Sequence, residues 1–234
     1  MSAPTIVLHQ WLISPYCGKV RKALHAKGLA FEVREYPGLQ ALAARRLSKA
    51  RKLPVLDYTG PSGELERIQD SARILRFLEE RHPEPSLWPS DPRERGLAHL
   101  LEDWADEALF WLEAYFRLAD PVASKKAGAL LGAGRPAWEG FILRKAGEMT
   151  YRQRFKAVGL LNFSEAELEG MVCEHLDAIA GMLADDRQWL VGDRQSIADI
   201  ALAAQLGEFA RTSRLADAIE ARPQLADWLA RNPG

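Results

Sequence analysis

A serine followed by a proline marks the turn that most constrains the first third of the chain. Residues 5–8 are an apolar run with strand character, and residues 19–24 favour a helix. Ser14 and Pro15 lie between them and suit the N-cap and first position of a helix. Proline lacks the N–H that would be left unpaired there, and the serine hydroxyl caps another. Since a helix N-terminus favours negative charge, including a thiolate, this strand, turn and helix suit sulfur chemistry.

Composition limits the class of protein. The chain has 234 residues, 47% of them hydrophobic, which is enough for one large or two small domains. Its net charge of −1 supplies no global field that would draw it to nucleic acid or to a membrane. Cys17 and Cys173 lie far apart, which fits a reducing compartment better than a disulfide framework. We expect a cytoplasmic protein with no nucleic-acid partner and no membrane partner.

The segments after the first helix extend it into a larger unit. Residues 31–36 alternate apolar and charged side chains, as a half-exposed strand does, and residues 39–50 favour a helix. Residues 53–58 and 65–68 have strand character, and the short turn between them makes the pair antiparallel. A further helix opens at residues 70–71. The predicted order is βαβαββα.

Proline content changes after this unit. Four prolines fall within residues 83–92, which favours a linker. We therefore expect a first domain at residues 1–83, a linker at 84–92 and a second, all-helical domain at 93–234. In that domain, apolar spacing predicts helices over residues 92–118, 138–158, 165–183 and 197–209, with a short helix after Pro223. Residues 127–136 contain four glycines or prolines and are predicted to be a loop.

Four motifs, in this order, resemble the cytosolic glutathione transferase family. Ser14-Pro15-Tyr16-Cys17 is similar to the Cys-Pro-Tyr-Cys turn of glutaredoxins with serine in place of the first cysteine. Leu53-Pro54 matches the family's cis-proline before the third strand, and Asp70-Ser71 matches its acidic-serine pair. Residues 196–199 match the capping box of its helical domain. The resemblance covers nearly the whole chain and implies an α/β plus all-α fold, with a thioredoxin-like N-terminal domain and an α-helical C-terminal domain.

The resemblance also implies a ligand, glutathione, as co-substrate. Ser14 would donate a hydrogen bond to the glutathione sulfur, and the backbone before Pro54, at Leu53, would bind the cysteinyl unit. Asp70 and Ser71 would hold the γ-glutamyl end. Lys52 or Arg51 would bind the glycine carboxylate, although the family's Asn-Pro-x-Gly-Lys lead-in is missing here. A small apolar electrophile in the cleft between the domains and a homodimer are further expectations from the family.

The residues by themselves leave alternatives open. Ser14 and Asp70-Ser71 also suit ordinary helix caps. Cys17 is either a partly buried structural cysteine or the residue that forms a mixed disulfide with glutathione, as in a glutathione-dependent reductase or peroxidase. The chain is similar also to metaxin and failed-axon-connections proteins, which use this fold in interactions without catalysis.

Aromatic residues are the candidates for the second substrate site. They lie on the first turn and on the long helix of the second domain, where core packing is the alternative role. The candidates are Trp11, Tyr16, Trp104, Trp111 and Tyr115. The five histidines show no close metal-ligand spacing, so we expect no metal site.

Overall fold

The computed structural model describes residues 4–185 and 187–233. Its N-terminal unit has the predicted element order. The elements are β1 (Thr5–Gln10), α1 (Pro15–Ala26), β2 (Glu32–Glu35), α2 (Gln40–Ala44), β3 (Val55–Thr59), β4 (Leu65–Gln69) and α3 (Ser71–Arg81). The βαβαββα prediction and the thioredoxin-like class are confirmed.

The register of the sheet brings three distant segments to one edge. The strand order is β2-β1-β3-β4, with β1 parallel to β2 and antiparallel to β3, and β3 antiparallel to β4. His9 pairs with Val55, and Val55 pairs with Gln69. The end of β1, the start of β3 and the end of β4 therefore meet at the same edge.

Helix α2 is shorter than the predicted helix over residues 39–50. The Ser48 hydroxyl accepts a hydrogen bond from the Lys52 amide at 2.9 Å and donates one to the Lys52 carbonyl oxygen at 2.8 Å. Arg51 has a φ of +56°, which a right-handed helix does not allow. A serine-closed turn has thus replaced the last helical turns.

The described residues of the second half form helices and connecting segments, with no strand among them. Its helices are α4 (Pro92–Trp104), α5 (Phe110–Leu118), α6 (Pro121–Leu131), α7 (Ala137–Ala157), α8 (Glu165–Met182), α9 (Ile197–Thr212), α10 (Ala216–Glu220) and α11 (Pro223–Ala230). A π-helical turn, Ala105–Leu109, joins α4 to α5, and a 3₁₀ turn, Leu160–Asn162, precedes α8. The helix predicted over residues 92–118 is therefore continuous, with a π-helical turn between α4 and α5.

The predicted loop over residues 127–136 is wrong in its first half, because α6 continues to Leu131. Gly128 and Gly132 pack against Gly140 of α7, and a Cβ on Gly140 would lie 2.5 Å from the Gly128 carbonyl oxygen. These glycines allow α6 and α7 to pack closely where they cross, and they do not indicate a turn. The short helix α10 was not predicted. The predicted capping box at Ser196 is present, and Ser164 forms another at the start of α8.

One apolar core joins the two halves of the molecule. Leu8, Leu24 and Leu56 from the first half belong to the same buried cluster as Ile200 and Trp228 from the second. The connection between α3 and α4 is tied to this core, since the Ile197 amide donates to the Leu87 carbonyl oxygen at 2.9 Å. The proposed division at residues 84–92 stays a prediction.

Across the described ranges, no helix is both long enough and apolar enough to cross a bilayer.

Candidate active site

The sheet edge described above collects the residues singled out in the sequence. Ser14 follows the end of β1, the Leu53-Pro54 peptide precedes β3, and Asp70 and Ser71 follow β4. The Leu53-Pro54 peptide is cis, as the resemblance implied. Leu53 packs in a small apolar cluster with Cys17.

Ser14 is the N-cap of α1. Its Oγ accepts a hydrogen bond from the Cys17 amide at 3.3 Å, and its own amide donates to the Trp11 carbonyl oxygen at 3.1 Å. A hydroxyl oxygen that accepts here keeps its proton for a second partner. The capping role and the predicted donor role are therefore compatible.

Cys17 is fully buried, in contact with the apolar cluster around Leu53 and Val55. Burial raises the pKa of its thiol to about 11, despite the opposing hydrogen bond from Ser14. At neutral pH the thiol stays protonated and is shielded from solvent. These properties oppose nucleophilic chemistry at Cys17.

Asp70 and Ser71 form the N-terminus of α3. Asp70 is exposed, and its Oδ1 accepts a hydrogen bond from the Arg73 amide at 3.2 Å. Its φ of +77° lies in a region that residues other than glycine rarely occupy. Such backbone strain is found at ligand sites more often than elsewhere. The neighbouring Ser71 is buried, with its amide at the positive end of the helix.

Lys52 is exposed, and Ser48 holds its backbone. A second contact fixes the same stretch of chain, because the Lys49 amide donates to Gln69 Oε1 at 2.8 Å. The segment before β3 is thereby tied to the end of β4, beside Asp70.

An aromatic cluster stands next to the Ser14 turn. Tyr16 packs against Phe110, with ring centroids 5.0 Å apart, and Phe110 in turn contacts Trp111 and Tyr151. The Tyr16 hydroxyl donates to the carbonyl oxygen of Asp106 in the π-helical turn at 2.8 Å. Burial, first of all, raises the pKa of Tyr16, so this hydroxyl remains protonated.

The structure separates the five aromatic residues that the sequence grouped together. Tyr16, Trp111 and Tyr115 share the cluster, but Trp104 packs against His175, and Trp11 lies beside Cys17. Tyr151 of α7 joins the cluster and was not predicted, because nothing in the local pattern showed that α7 folds back onto α5.

The tip of the α6–α7 hairpin reaches the N-terminal domain. The Gly38 amide donates to the Leu131 carbonyl oxygen at 2.7 Å, and the Leu39 amide donates to Glu139 Oε2 at 2.8 Å. Arg135 holds the Glu139 carboxylate at 2.8 Å. The hairpin therefore bridges the two domains, a contact that the sequence did not predict.

Buried charges hold the Ser14 turn against the helical domain. Arg117 of α5 donates to the carbonyl oxygen of Ile13, and Lys19 of α1 pairs with Glu102 and with Asp106 at 2.6 Å. Burial raises the pKa of Asp106 to about 6, although the Lys19 ammonium acts to lower it. The turn that carries Ser14 is thus fixed from both domains.

Among the residues that the structure describes, we find no group of three or more histidine, cysteine, aspartate or glutamate side chains that could hold a metal ion.

Comparison with known proteins agrees with this architecture. Residues 8–86 match the family model of the glutathione S-transferase N-terminal domain, and residues 166–231 match that of the C-terminal domain. A glutathione S-transferase from Pseudomonas putida is 31% identical over 134 residues, which are 54% of this chain and 59% of that protein. Maleylacetoacetate isomerase from Rattus norvegicus is 30% identical over 109 residues, 44% of this chain and 48% of that protein. The matched parts thus span about half of these relatives.

Solved structures are similar over nearly the whole chain. A glutathione S-transferase from Methylobacterium radiotolerans, in complex with glutathione sulfonate, is 31% identical with a TM-score of 0.59, covering 97% of this chain and 89% of that one. FzlA from C. crescentus is 26% identical with a TM-score of 0.65, covering 97% and 87%.

The fold and the sheet-edge site together define a two-domain protein in which a thioredoxin-like domain is followed by an all-helical domain. The family models and the Methylobacterium structure then make the assignment specific. The chain belongs to the glutathione S-transferase family.

Proposed function

We propose that the chain is a glutathione S-transferase that binds reduced glutathione and activates its thiol for attack on a small apolar electrophile. The observation that carries the proposal is the sheet edge, where Ser14, the cis Leu53-Pro54 peptide and the strained Asp70 meet. The similarity to a transferase structure that holds glutathione sulfonate supports the same ligand.

Ser14 acts on the sulfur of glutathione in this proposal. Its hydroxyl donates a hydrogen bond to the thiolate, and the N-terminus of α1 adds a favourable dipole. A free thiol has a pKa of about 8.5, and lowering that pKa by one corresponds to about 1.4 kcal/mol. One hydrogen bond to a charged group is of that magnitude. The thiol proton passes to solvent when the thiolate forms. The thiolate sulfur then bonds to the electrophilic carbon, and the electron pair of the bond that breaks there departs with the leaving group or, in an addition, moves onto the neighbouring atom, which takes a proton from solvent.

The other candidate residues hold the tripeptide. Asp70 binds the γ-glutamyl ammonium group, and Ser71 binds its carboxylate at the N-terminus of α3. The backbone of Leu53 binds the cysteinyl unit, and Lys52 is the candidate for the glycine carboxylate. The electrophile lies against the aromatic cluster at Tyr16. We place the protein in the cytoplasm, as a homodimer, on the resemblance to the family.

Of the rival functions, the reductase or peroxidase that works through Cys17 is disfavoured by the burial of that thiol. The other rival hypothesis, a metaxin-like interaction module without catalysis, predicts that the protein does not bind glutathione.

Calorimetric titration with reduced glutathione tests the proposal. Asp70→Ala removes a helix cap and the carboxylate proposed to bind the γ-glutamyl ammonium group. Asp91→Ala is the control and removes only a cap, because Asp91 caps α4 through the Arg93 and Glu94 amides at 2.9 Å. We expect saturable binding by the wild type and by Asp91→Ala, and its loss in Asp70→Ala. Absence of wild-type binding up to about 10 mM, beyond the usual range of substrate affinities, would contradict the proposal.

A further inference from the structure

The α6–α7 hairpin carries a charge opposite to that of the rest of the molecule. Residues 121–158 contain eight basic and two acidic residues, a net charge of +6, so the remainder carries −7 against the total of −1. The hairpin also lies between the residues matched by the two family models. The near-neutral composition of the whole chain therefore conceals a strong local positive field.

One face of α7 is exposed along its whole length. Trp138, Phe141, Ile142 and Met149 are 54%, 55%, 45% and 67% exposed and lie three, four and eleven residues from the first, on one side of the helix. Basic residues at 145, 152 and 156 continue this outer stripe, and all are exposed. The opposite side contains the buried Glu139, Gly140 and Phe155.

Both acidic residues of α7 are neutralised on the packed side of the helix or at its border. Glu139 pairs with Arg135 and accepts from the Leu39 amide. Glu148 accepts from Ser124 of α6 at 2.9 Å and pairs with Arg144 and Lys145 at 2.9 and 2.8 Å. The outer stripe of α7 therefore combines apolar and cationic side chains without a free carboxylate among the described residues.

The stripe is presented rigidly. Gly128, Gly132 and Gly140 allow α6 and α7 to pack backbone against backbone. The tip of the hairpin is fixed to Gly38 and Leu39. A ridge of 21 residues, about 30 Å long, is thus held in place before any partner binds.

We propose that the outer stripe of α7 binds the surface of an anionic lipid bilayer. Trp138 and Phe141 suit the boundary between headgroups and acyl chains, and the side chains of Ile142 and Met149 gain by entering it. The basic residues face the lipid phosphates. One exposed helix face with apolar side chains at residues 138–149 and cations at residues 145–156 matches a surface that offers anionic phosphates beside acyl chains better than a localised acidic groove on a protein. Aliphatic side chains in the stripe would gain nothing from a nucleic-acid backbone.

Sedimentation with vesicles tests this proposal on the full-length protein. One set contains phosphatidylcholine alone, and the other contains equal parts of phosphatidylcholine and phosphatidylglycerol. We expect binding to the anionic set only, weakened by salt, because surface charge is screened. Reversing two stripe charges, with Arg152→Glu and Lys156→Glu, should lower the partition coefficient by about 100-fold or more. Replacing Trp138 and Phe141 by alanine should lower it by at least about tenfold.

A matched control separates the stripe from the net charge. Arg45→Glu with Arg46→Glu makes the same change of charge on exposed residues after α2, outside the hairpin. This control should bind the anionic vesicles nearly as well as the wild type. The proposal is overturned by equal losses in the control and stripe variants, by equal binding to both vesicle sets, or by no wild-type binding at low salt. That last result would assign the stripe to a protein partner instead.

Discussion

Arg117 donates a hydrogen bond from Nη1 to the carbonyl oxygen of Ile13, the residue before Ser14. The two residues belong to different domains, and Arg117 is also paired with Glu113 at 3.1 Å, both side chains being almost fully buried. The helical domain thus holds the backbone of the candidate catalytic turn. Disturbing Arg117 should therefore affect stability and the position of Ser14 together.

At pH 8, where Glu113 is ionised, Arg117→Ala is expected to lower the free energy of unfolding by about 3 to 5 kcal/mol, because it leaves a buried carboxylate and a buried carbonyl without their partner. Urea denaturation measures this change. Arg81→Ala is the control, since its pair with Glu66 is exposed and should contribute about 1 kcal/mol or less. Similar losses in the two variants would mean that the interdomain contact does not contribute more than a surface pair.

Glu113 makes stability depend on pH. Burial raises the pKa of its carboxyl to about 7, with Arg117 acting to lower that pKa and the Glu208 carboxylate raising it further. In the unfolded chain that pKa is about 4.3, so between these values the folded state holds a proton that the unfolded state releases. This contribution is present at low pH and is lost as pH rises towards and through 7.

Glu113→Gln removes this titration. From pH 5 to pH 8, unfolding free energies of wild type and variant should change relative to each other by up to about 3 kcal/mol, in favour of the variant. Burial also raises the pKa of Asp106, but this group remains in the variant and cancels in the difference. The Glu208 carboxylate interacts with Glu113, so the measured difference includes the coupling between these two groups. If the unfolding free energies of the two proteins change in parallel with pH, ionisation of Glu113 does not destabilise the folded state, and the prediction is wrong.

Gly38 tests the contact between the hairpin and the N-terminal domain. Its φ is +58°, and a Cβ added there would lie 2.0 Å from Glu139 Oε2. Gly63 has a φ of +80°, and no atom lies within 4 Å of such a Cβ. Gly63→Ala should therefore lower the free energy of unfolding only through backbone strain, by about 1 to 2 kcal/mol. Gly38→Ala should lower it by about 1 to 3 kcal/mol more, which is the range for overpacking.

Limited proteolysis provides a second measure of this contact. Release of Glu139 from the Leu39 amide should expose the connection at residues 132–136 to cleavage in Gly38→Ala but not in Gly63→Ala. Equal cleavage of the two variants would show that the hairpin stays docked without the carboxylate contact.

The elements that the sequence predicted best are those with local physical causes. Pro15 after Ser14, the capping residue Asp70 and the box at Ser196 each act within three or four residues, so their spacing alone determines the helix start. The grouping of Ser14, Leu53-Pro54 and Asp70 in one site came from the family resemblance, because the local sequence pattern does not determine strand order.

The features that the sequence did not predict depend on contacts between distant residues. Glu139 resembles any charged helical residue until α7 is placed against Leu39, and the partner of Arg117 is a backbone carbonyl, which has no signature in the sequence. Gly128 and Gly132 indicated a loop because glycine disfavours helices, whereas here close packing against Gly140 outweighs that preference.

Ser14 and Cys17 are distinguished by activity. If the proposed function holds, Ser14→Ala should raise the pKa of the bound glutathione thiol. Turnover at pH values below that pKa should then fall, by about tenfold if the pKa rises by one. Cys17→Ala should leave the pH profile of turnover unchanged. The thiolate's ultraviolet absorbance in the complex, followed against pH, measures the pKa of the bound thiol directly. Loss of turnover in Cys17→Ala with an unchanged Ser14→Ala would instead support the reductase chemistry.

Asp199 is expected to be the most costly carboxylate to remove from the helical domain. It accepts hydrogen bonds from the Leu190 amide, from the Ser196 amide and hydroxyl, and from Trp228 Nε1, all at 2.8 to 2.9 Å, and it is completely buried. Asp199→Ala leaves these donors without a partner in the core, so unfolding free energy should fall by about 3 to 5 kcal/mol.

The second capping box provides the comparison for Asp199. Glu167 accepts from the Ser164 amide and hydroxyl at 2.7 Å in the same arrangement, but this box is exposed and water can replace the carboxylate. Glu167→Ala should therefore cost about 1 kcal/mol. Thermal and urea denaturation of the two variants measure the difference. If both changes cost the same, the stability of the box comes from capping geometry alone, and the burial of Asp199 among four donors adds nothing.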